Sequence, residues 1–180
     1  MQDRLPLARL LADYLARYPA EAAVVQDFRT LLDDAGPVFE RARLAGHFTG
    51  SAWVVSADGQ RTLLMHHRKL GRWLQPGGHA DGDAHLPRVA LREAEEETGL
   101  VDLVVEDAIH DLDRHAIPAR GSEPEHWHYD VRFVVRATSR EDFAVNEESL
   151  ALAWKPVADL AADPGADESL RRMARKWLAR

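Results

Sequence analysis

The stretch "HLPRVALREAEEETGL", His85 to Leu100, decides how this chain is read. Taken as one helix, it places Leu86, Val89 and Ala90 at the i, i+3, i+4 spacing of a core-facing stripe. The same register then brings Glu93, Glu96 and Glu97 onto that stripe, followed by Leu100. Glu95 falls on the opposite side. Pro87 suits the first turn, and Gly99 stands where a left-handed C-cap belongs. Three carboxylates thus occupy an arc of roughly 100° where the pattern asks for apolar side chains.

A run such as "REAEEE" is commonly a solvated face, and Arg92 with Glu96 fits an ordinary i, i+4 ion pair. The apolar neighbours above and below Glu93, Glu96 and Glu97 argue against that reading. Crowded, partly buried carboxylates repel one another and take up protons unless a cation neutralises them. A hard dication such as Mg²⁺ takes oxygen ligands, a few carboxylates plus substrate phosphates among them. The register therefore predicts a metal site on this face. Just before it, Gly77 and Gly78 let the backbone approach a ligand or metal closely, and "GGHADGD" ends at the helix N-terminus.

Upstream of this helix the sequence reads as strands: "FTGSAWVVSA", then "GQRTLLMHH" after a turn at Asp58-Gly59, then a loop with short extended pieces in "LGRWLQPGGHADGD". Downstream, "LVDLVVEDAIHDLDRHAIPA" reads as two strands and "HWHYDVRFVVRAT" as one with period-2 alternation. "LALAWKPVADL" reads as a strand running into a short helix, and a last helix spans about Ala166 to Leu178. Residues 1–45 differ in character. Two apolar stripes, Leu7-Leu10-Leu11-Tyr14-Leu15 and Val24-Val25-Phe28-Leu31-Leu32, predict two helices interrupted at "RYPAE". The expectation is a mixed α/β domain over residues 46–180 with a helical N-terminal extension over residues 1–45. That extension is expected to cover its apolar faces either on the same chain or in a homodimer.

Composition narrows the function. With 180 residues, 46% of them hydrophobic, the chain can bury a sizeable core. It has no cysteine, which removes disulfides, thiolate metal sites and a cysteine nucleophile together. Net charge is −7 and there is no basic run, so nucleic acid is not the expected partner. No apolar stretch is long enough for a membrane span, and the N-terminus lacks the apolar centre of a secretory signal, so the cytoplasm is the expected compartment.

The stretch from Gly78 to Leu100 resembles the Nudix box: a Gly, five residues, a Glu, seven residues, then Arg-Glu, an aliphatic residue, any residue, Glu-Glu, any residue, Gly and an aliphatic residue. Gly78, Arg92, Glu93, Glu96, Glu97, Gly99 and Leu100 stand at the required positions, with Ala94 in the aliphatic place. "WLQPGGH" and "LAWKPVADL" are similar to the family's flanking strands, and the likeness covers about residues 47–160. One position departs: the box's first glutamate falls at Ala84, with Asp81 and Asp83 close by. The resemblance implies an α/β/α sandwich with a mixed sheet. It implies hydrolysis of a nucleoside diphosphate linked to another moiety (a nucleotide sugar, a dinucleotide or a nucleoside triphosphate), with Mg²⁺ or Mn²⁺ as cofactor.

Such a reaction needs phosphate charge neutralised and a water aimed in line at phosphorus. Glu93, Glu96 and Glu97, with Gly77 beside them, are the expected metal site, and Arg92 is expected to orient one carboxylate by a charge-assisted hydrogen bond. The family pattern implies that Glu97 or a loop carboxylate deprotonates the water; Glu148, next to Glu147 in "FAVNEESL", is the loop candidate. The nine histidines include no HxxxH on a helix. His126 and His128 share a strand face with Asp130 and Arg132, which makes His128 and Arg132 candidate substrate contacts. His67, Arg68, Trp73 and Arg120 are further candidates for phosphate or base. Two rival readings use the same fold: a nucleotide-sensing module without turnover, and an isopentenyl diphosphate isomerase, which would rely on a cysteine that this chain lacks.

Overall fold

The structure, a computed structural model, describes residues 2–121, 124–147 and 149–180. Helices α1 (Leu5–Arg17) and α2 (Ala22–Asp33) precede strands β1 (His47–Val55), β2 (Arg61–His67), β3 (Arg72–Leu74) and β4 (Gly77–His79). Helix α3 (Leu86–Thr98) follows, then β5 (Leu103–Ile117), β6 (His126–Ala137), β7 (Ser149–Pro156), α4 (Val157–Ala162) and α5 (Glu168–Leu178). Among the described residues the strands form one seven-stranded sheet in the order β3-β2-β1-β6-β5, with β4 paired to β1 and β7 to β2. β1 and β6 run parallel while the other pairings are antiparallel, so the sheet is mixed.

Strand alternation decides what lies on each face. Phe48, Ala52 and Val54 of β1, with Val131, Phe133 and Val135 of β6, meet α1, α2 and α3 in one core. Trp53, Val55 and Val134 point the other way, against Val157, Leu160, Leu170, Met173 and Ala174 of α4 and α5. This is an α/β/α sandwich. Gly50 sits where α3 crosses β1; a Cβ there would lie 2.9 Å from a Val89 methyl, so the helix comes closer than any side chain would allow.

The N-terminal helices share the main core. Leu7, Leu11, Tyr14 and Phe28 are fully buried, and the Phe28 ring lies 5.4 Å from that of Tyr129 and 6.2 Å from that of Phe48. Their apolar stripes are thus covered by this chain's own sheet, one of the two ways expected of them. The same helices guard the sheet edge, where Arg17 donates to the carbonyl of Ile109 at 2.7 Å.

One element departs from the sequence reading. "LVVEDAIHDLDRHAI", Leu103–Ile117, is a single strand, β5, where the sequence reads as two. Its pairing with β6 shifts register between Val105 and Ile109 and again between Ile109 and Asp111. Those irregularities break the alternation that a sequence reader follows, while the ladder continues through them.

Candidate active site

Helix α3 is built as its pattern dictates. The His85 side chain accepts from the Arg88 N–H at the N-cap, and Gly99, at φ 67°, closes the C-terminus. Leu86, Val89, Ala90, Ala94 and Leu100 are buried. Down the same face, Glu97 is only 7% exposed and Glu93 is half-buried, while Glu96 stands at the exposed edge of the stripe and Glu95 faces solvent.

Strand β4 holds two of these carboxylates. Glu97 Oε2 accepts the Gly77 N–H at 2.9 Å. Glu93 lies flat on Gly78, where an added Cβ would sit 2.5 Å from its Oε2. Arg92 donates to Glu93 Oε1 at 2.8 Å and to the His79 carbonyl at 3.0 Å, so it ties the carboxylate to the strand. The arginine therefore orients Glu93, not Glu96. The loop before β7 closes the far end: the Ala144 N–H donates to the Thr98 carbonyl at 2.8 Å, and Asn146 Nδ2 to the Glu96 carbonyl at 3.3 Å. Glu147 lies in that loop, exposed. Glu148 lies outside the described residues.

The donor set suits a hard dication, because it is all oxygen and the glycine backbone leaves room beside it. The three glutamates are not drawn to single-ion spacing by the fold alone; among the described residues, the one trio of ligand atoms within 4.8 Å is His47, His126 and His128. The two loop aspartates are engaged elsewhere. Both Asp83 oxygens accept from Arg88 at 2.7 Å, and both Asp81 oxygens bond Arg41 at 2.6 and 2.7 Å. Ala84 packs against the main core. Neither aspartate stands in for the box glutamate in this arrangement.

The proposed substrate contacts scatter. Arg132 is 3% exposed, and its guanidinium bonds Asp130 at 2.8 Å, Asp111 at 3.2 Å and Asp113 at 3.2 Å. Asp130 in turn accepts from Thr49 at 2.9 Å and Ser51 at 2.7 Å. Arg132 is a buried structural cation and not a surface contact, a correction to the sequence reading; period-2 alternation marked its face as polar but could not say that the face is covered. Arg68 donates to the carbonyls of Glu147 at 2.9 Å and Ser149 at 3.1 Å, so it pins the loop beside the glutamates. His67 Nδ1 accepts from Lys69 N–H at 3.1 Å and shapes a turn. Trp73 lines a cleft of about 760 Å³ with His66, Arg72 and Lys155, on the α4–α5 side of the sheet. Arg120 is exposed in the connection after β5. His128 sits among other histidines, and burial first, then those neighbours, lower its pKa to about 2.

A NUDIX domain model matches residues 47–177. The chain is 32% identical over 126 residues to a Mycobacterium tuberculosis protein provisionally named 8-oxo-dGTP diphosphatase 3, covering 64% of this chain and 55% of that protein. It therefore spans about half the length of that relative. Its fold is similar to the E. coli dihydroneopterin triphosphate pyrophosphohydrolase (TM-score 0.60, 16% identity, 79% of this chain and 99% of that one). It is also similar to the NUDIX domain of Shewanella oneidensis NrtR complexed with ADP ribose (TM-score 0.54, 25% identity, 83% of this chain and 97% of that one). Among the described residues, no helix is long and apolar enough to cross a membrane.

Proposed function

The chain belongs to the Nudix family, and on that premise we propose that it is a divalent-metal-dependent pyrophosphohydrolase, cleaving the diphosphate linkage of a nucleoside diphosphate joined to another moiety. The observation that carries this reading is Glu97: a carboxylate 7% exposed at the end of an apolar stripe, held by a backbone N–H of the Gly-Gly strand. Burying a carboxylate is costly unless positive charge accompanies it.

Glu93, Glu96 and Glu97, with Gly77 beside them, would hold Mg²⁺ or Mn²⁺. That ion, when bound, neutralises phosphate charge and lowers the pKa of a coordinated water. The chain's own residues supply the positioning. Arg92 fixes the Glu93 rotamer from one side, and the Gly77 N–H fixes Glu97 from the other, so each carboxylate is held in place before an ion would bind. Arg68 holds the loop at Glu147, near the C-terminal end of α3. A carboxylate on that loop, Glu148 in our reading, or Glu97 itself takes the proton of the attacking water. Substrates fall in the class of nucleotide sugars, dinucleotides and nucleoside triphosphates; the relative named for 8-oxo-dGTP and the neighbour complexed with ADP ribose support nucleotide substrates of this kind.

Turnover of such substrates with Mg²⁺ and with Mn²⁺, products resolved by ion-exchange chromatography, tests the proposal. Release of two phosphorylated products, or of pyrophosphate, supports it. Tight nucleotide binding without products favours the sensing module instead, the reading that Ala84 at the box position suggests.

A further inference from the structure

Five histidines stand together on the side of the sheet opposite α3. Their placement follows from pairing: His47 of β1 is registered with His128 of β6, His128 with His115 of β5, and His79 of β4 with Thr49 two residues from His47. Registered residues, and residues two apart, share a face. The rings of His47 and His128 are 4.9 Å apart between centroids, those of His47 and His126 5.2 Å, and those of His126 and His128 5.1 Å. His79 approaches both His47, at 5.2 Å, and His128, at 5.0 Å. Strand alternation keeps this cluster apart from the glutamates, since Gly78 faces Glu93 while the next residue, His79, faces away.

We propose that His47, His126 and His128 form a second metal site, for a zinc-class dication, independent of the glutamate helix. One candidate ligand atom from each of the three lies within 4.8 Å of the others. His126 Nδ1 is 2.9 Å from the Pro124 carbonyl and His47 Nδ1 is 3.3 Å from the Arg43 carbonyl. A carbonyl only accepts, so each Nδ1 carries the proton and each Nε2 keeps its lone pair. This is the outer-sphere arrangement that fixes the tautomer and aim of a metal-binding imidazole. His126 Nε2 and His128 Nε2 are 3.2 Å apart. Two nitrogens on one tetrahedral ion at about 2.0–2.1 Å stand roughly 3.3 Å apart, so this spacing already matches a shared ion. Binding requires His128 to move its proton from Nε2 to Nδ1, with no change in net charge.

The donor set gives the selectivity. Three imidazoles with no carboxylate among them suit zinc, nickel or copper and disfavour Mg²⁺, which takes oxygen. His47 and His126 are 1% and 3% exposed, so an ion there would be enclosed by protein. It would clamp the start of β6 to the start of β1.

The test uses the untagged full-length chain, dialysed against Zn²⁺ in excess Mg²⁺, with bound metal counted by elemental analysis and Co²⁺ read by its visible absorption. One Zn²⁺ per chain is expected, with a tetrahedral Co²⁺ band. The triple variant Glu93→Gln, Glu96→Gln, Glu97→Gln should retain both signals. His126→Gln and His128→Gln should each weaken Zn²⁺ binding by about a hundredfold or more, since a ligand counts for no less than its outer-sphere partner. Circular dichroism checks that each variant folds, and His128, half-buried, is the milder site if His126→Gln does not. Loss of Zn²⁺ from the glutamate variant, undiminished binding in a folded histidine variant, or no Zn²⁺ retained against Mg²⁺ overturns the proposal.

Discussion

At the scale of single residues, three adjacent glutamates on one helix have three different environments. Glu97 is buried on Gly77, Glu96 is at the exposed edge of the same face, and Glu95 is in solvent. Glu96→Gln and Glu97→Gln remove charge without bulk, and each should lower kcat by about two orders of magnitude, roughly 2.7 kcal/mol of activation energy. Glu95→Gln should leave kcat unchanged. Steady-state kinetics at saturating metal decide it, and near-normal turnover in both of the first two variants would move the site elsewhere. His110 offers a test of a different kind. It is fully buried, its ring stacks on Trp53 at 5.9 Å, and its Nε2 bonds the Met173 carbonyl at 3.1 Å. Burial first, then the nearby Arg180 charge, lower its pKa from 6.5 to about 3. Between those values the unfolded chain binds the extra proton, so stability is complete above about pH 6.5 and is lost as pH falls toward about 3. His110→Gln keeps a hydrogen-bonding group there and should flatten the dependence of melting temperature on pH in this window. An unaltered slope in the variant would show that other groups set it.

At the scale of elements, the contact between β4 and α3 aims the carboxylates. Gly78→Ala brings a Cβ to 2.5 Å from Glu93 Oε2, so the carboxylate must leave its place beside Arg92. Apparent affinity for Mg²⁺ or Mn²⁺ should fall by about tenfold or more, with a smaller change in melting temperature. Gly71→Ala is the matched control: open space surrounds it, and only its φ of 64° is strained. It should cost about 1 kcal/mol of stability and leave metal dependence alone. A Gly78→Ala protein with unchanged metal titration would mean that Glu93 does not touch the ion. The pairing of α1 and α2 with the sheet is the other decisive contact. Phe28 is enclosed by Phe48 and Tyr129, so Phe28→Ala should destabilise the whole protein by about 3–5 kcal/mol in one cooperative unfolding transition. Two separate transitions would instead make residues 1–45 an independent unit.

At the scale of the whole molecule, a buried charge network joins both layers of helices to the sheet. Asp111 is fully buried and bonds Arg132 at 3.2 Å, Arg172 at 2.8 Å and Lys176 at 2.7 Å. Lys176 reaches on to Tyr14 at 2.5 Å and Glu21 at 2.6 Å, so α5, β5 and α1 meet at this carboxylate. Burial pushes the Asp111 pKa up, but the bonds from Arg172 and the charge of Arg132 outweigh it and hold the carboxyl ionised. Asp111→Ala leaves three cations around an empty place and should cost about 3–5 kcal/mol, measured by urea denaturation. A loss below about 1 kcal/mol would mean that water compensates those cations in the variant.

The sequence by itself determined the helix His85–Leu100, its caps, the stripe that ends in carboxylates and the strand-rich α/β character around it. Those are local features: periodicity, a turn glycine and a charge in an apolar register act between residues a few positions apart. The two glycines before it were legible as a place of close backbone approach, within a loop; that they form a strand paired with β1 came from the tertiary structure. Only the tertiary structure decided that Glu96 stays exposed while Glu97 is covered, because burial depends on what packs across the helix. It also decided that Arg132 is locked among Asp111, Asp113 and Asp130, partners up to twenty-one positions away in the chain. β5 reads as two strands in the sequence because its register shifts interrupt the period-2 signal, while the ladder hydrogen bonds that carry it across come from β6. The histidine cluster is the clearest case. Each histidine alone looks like polar surface, and the five become neighbours only when four strands are laid side by side in one register.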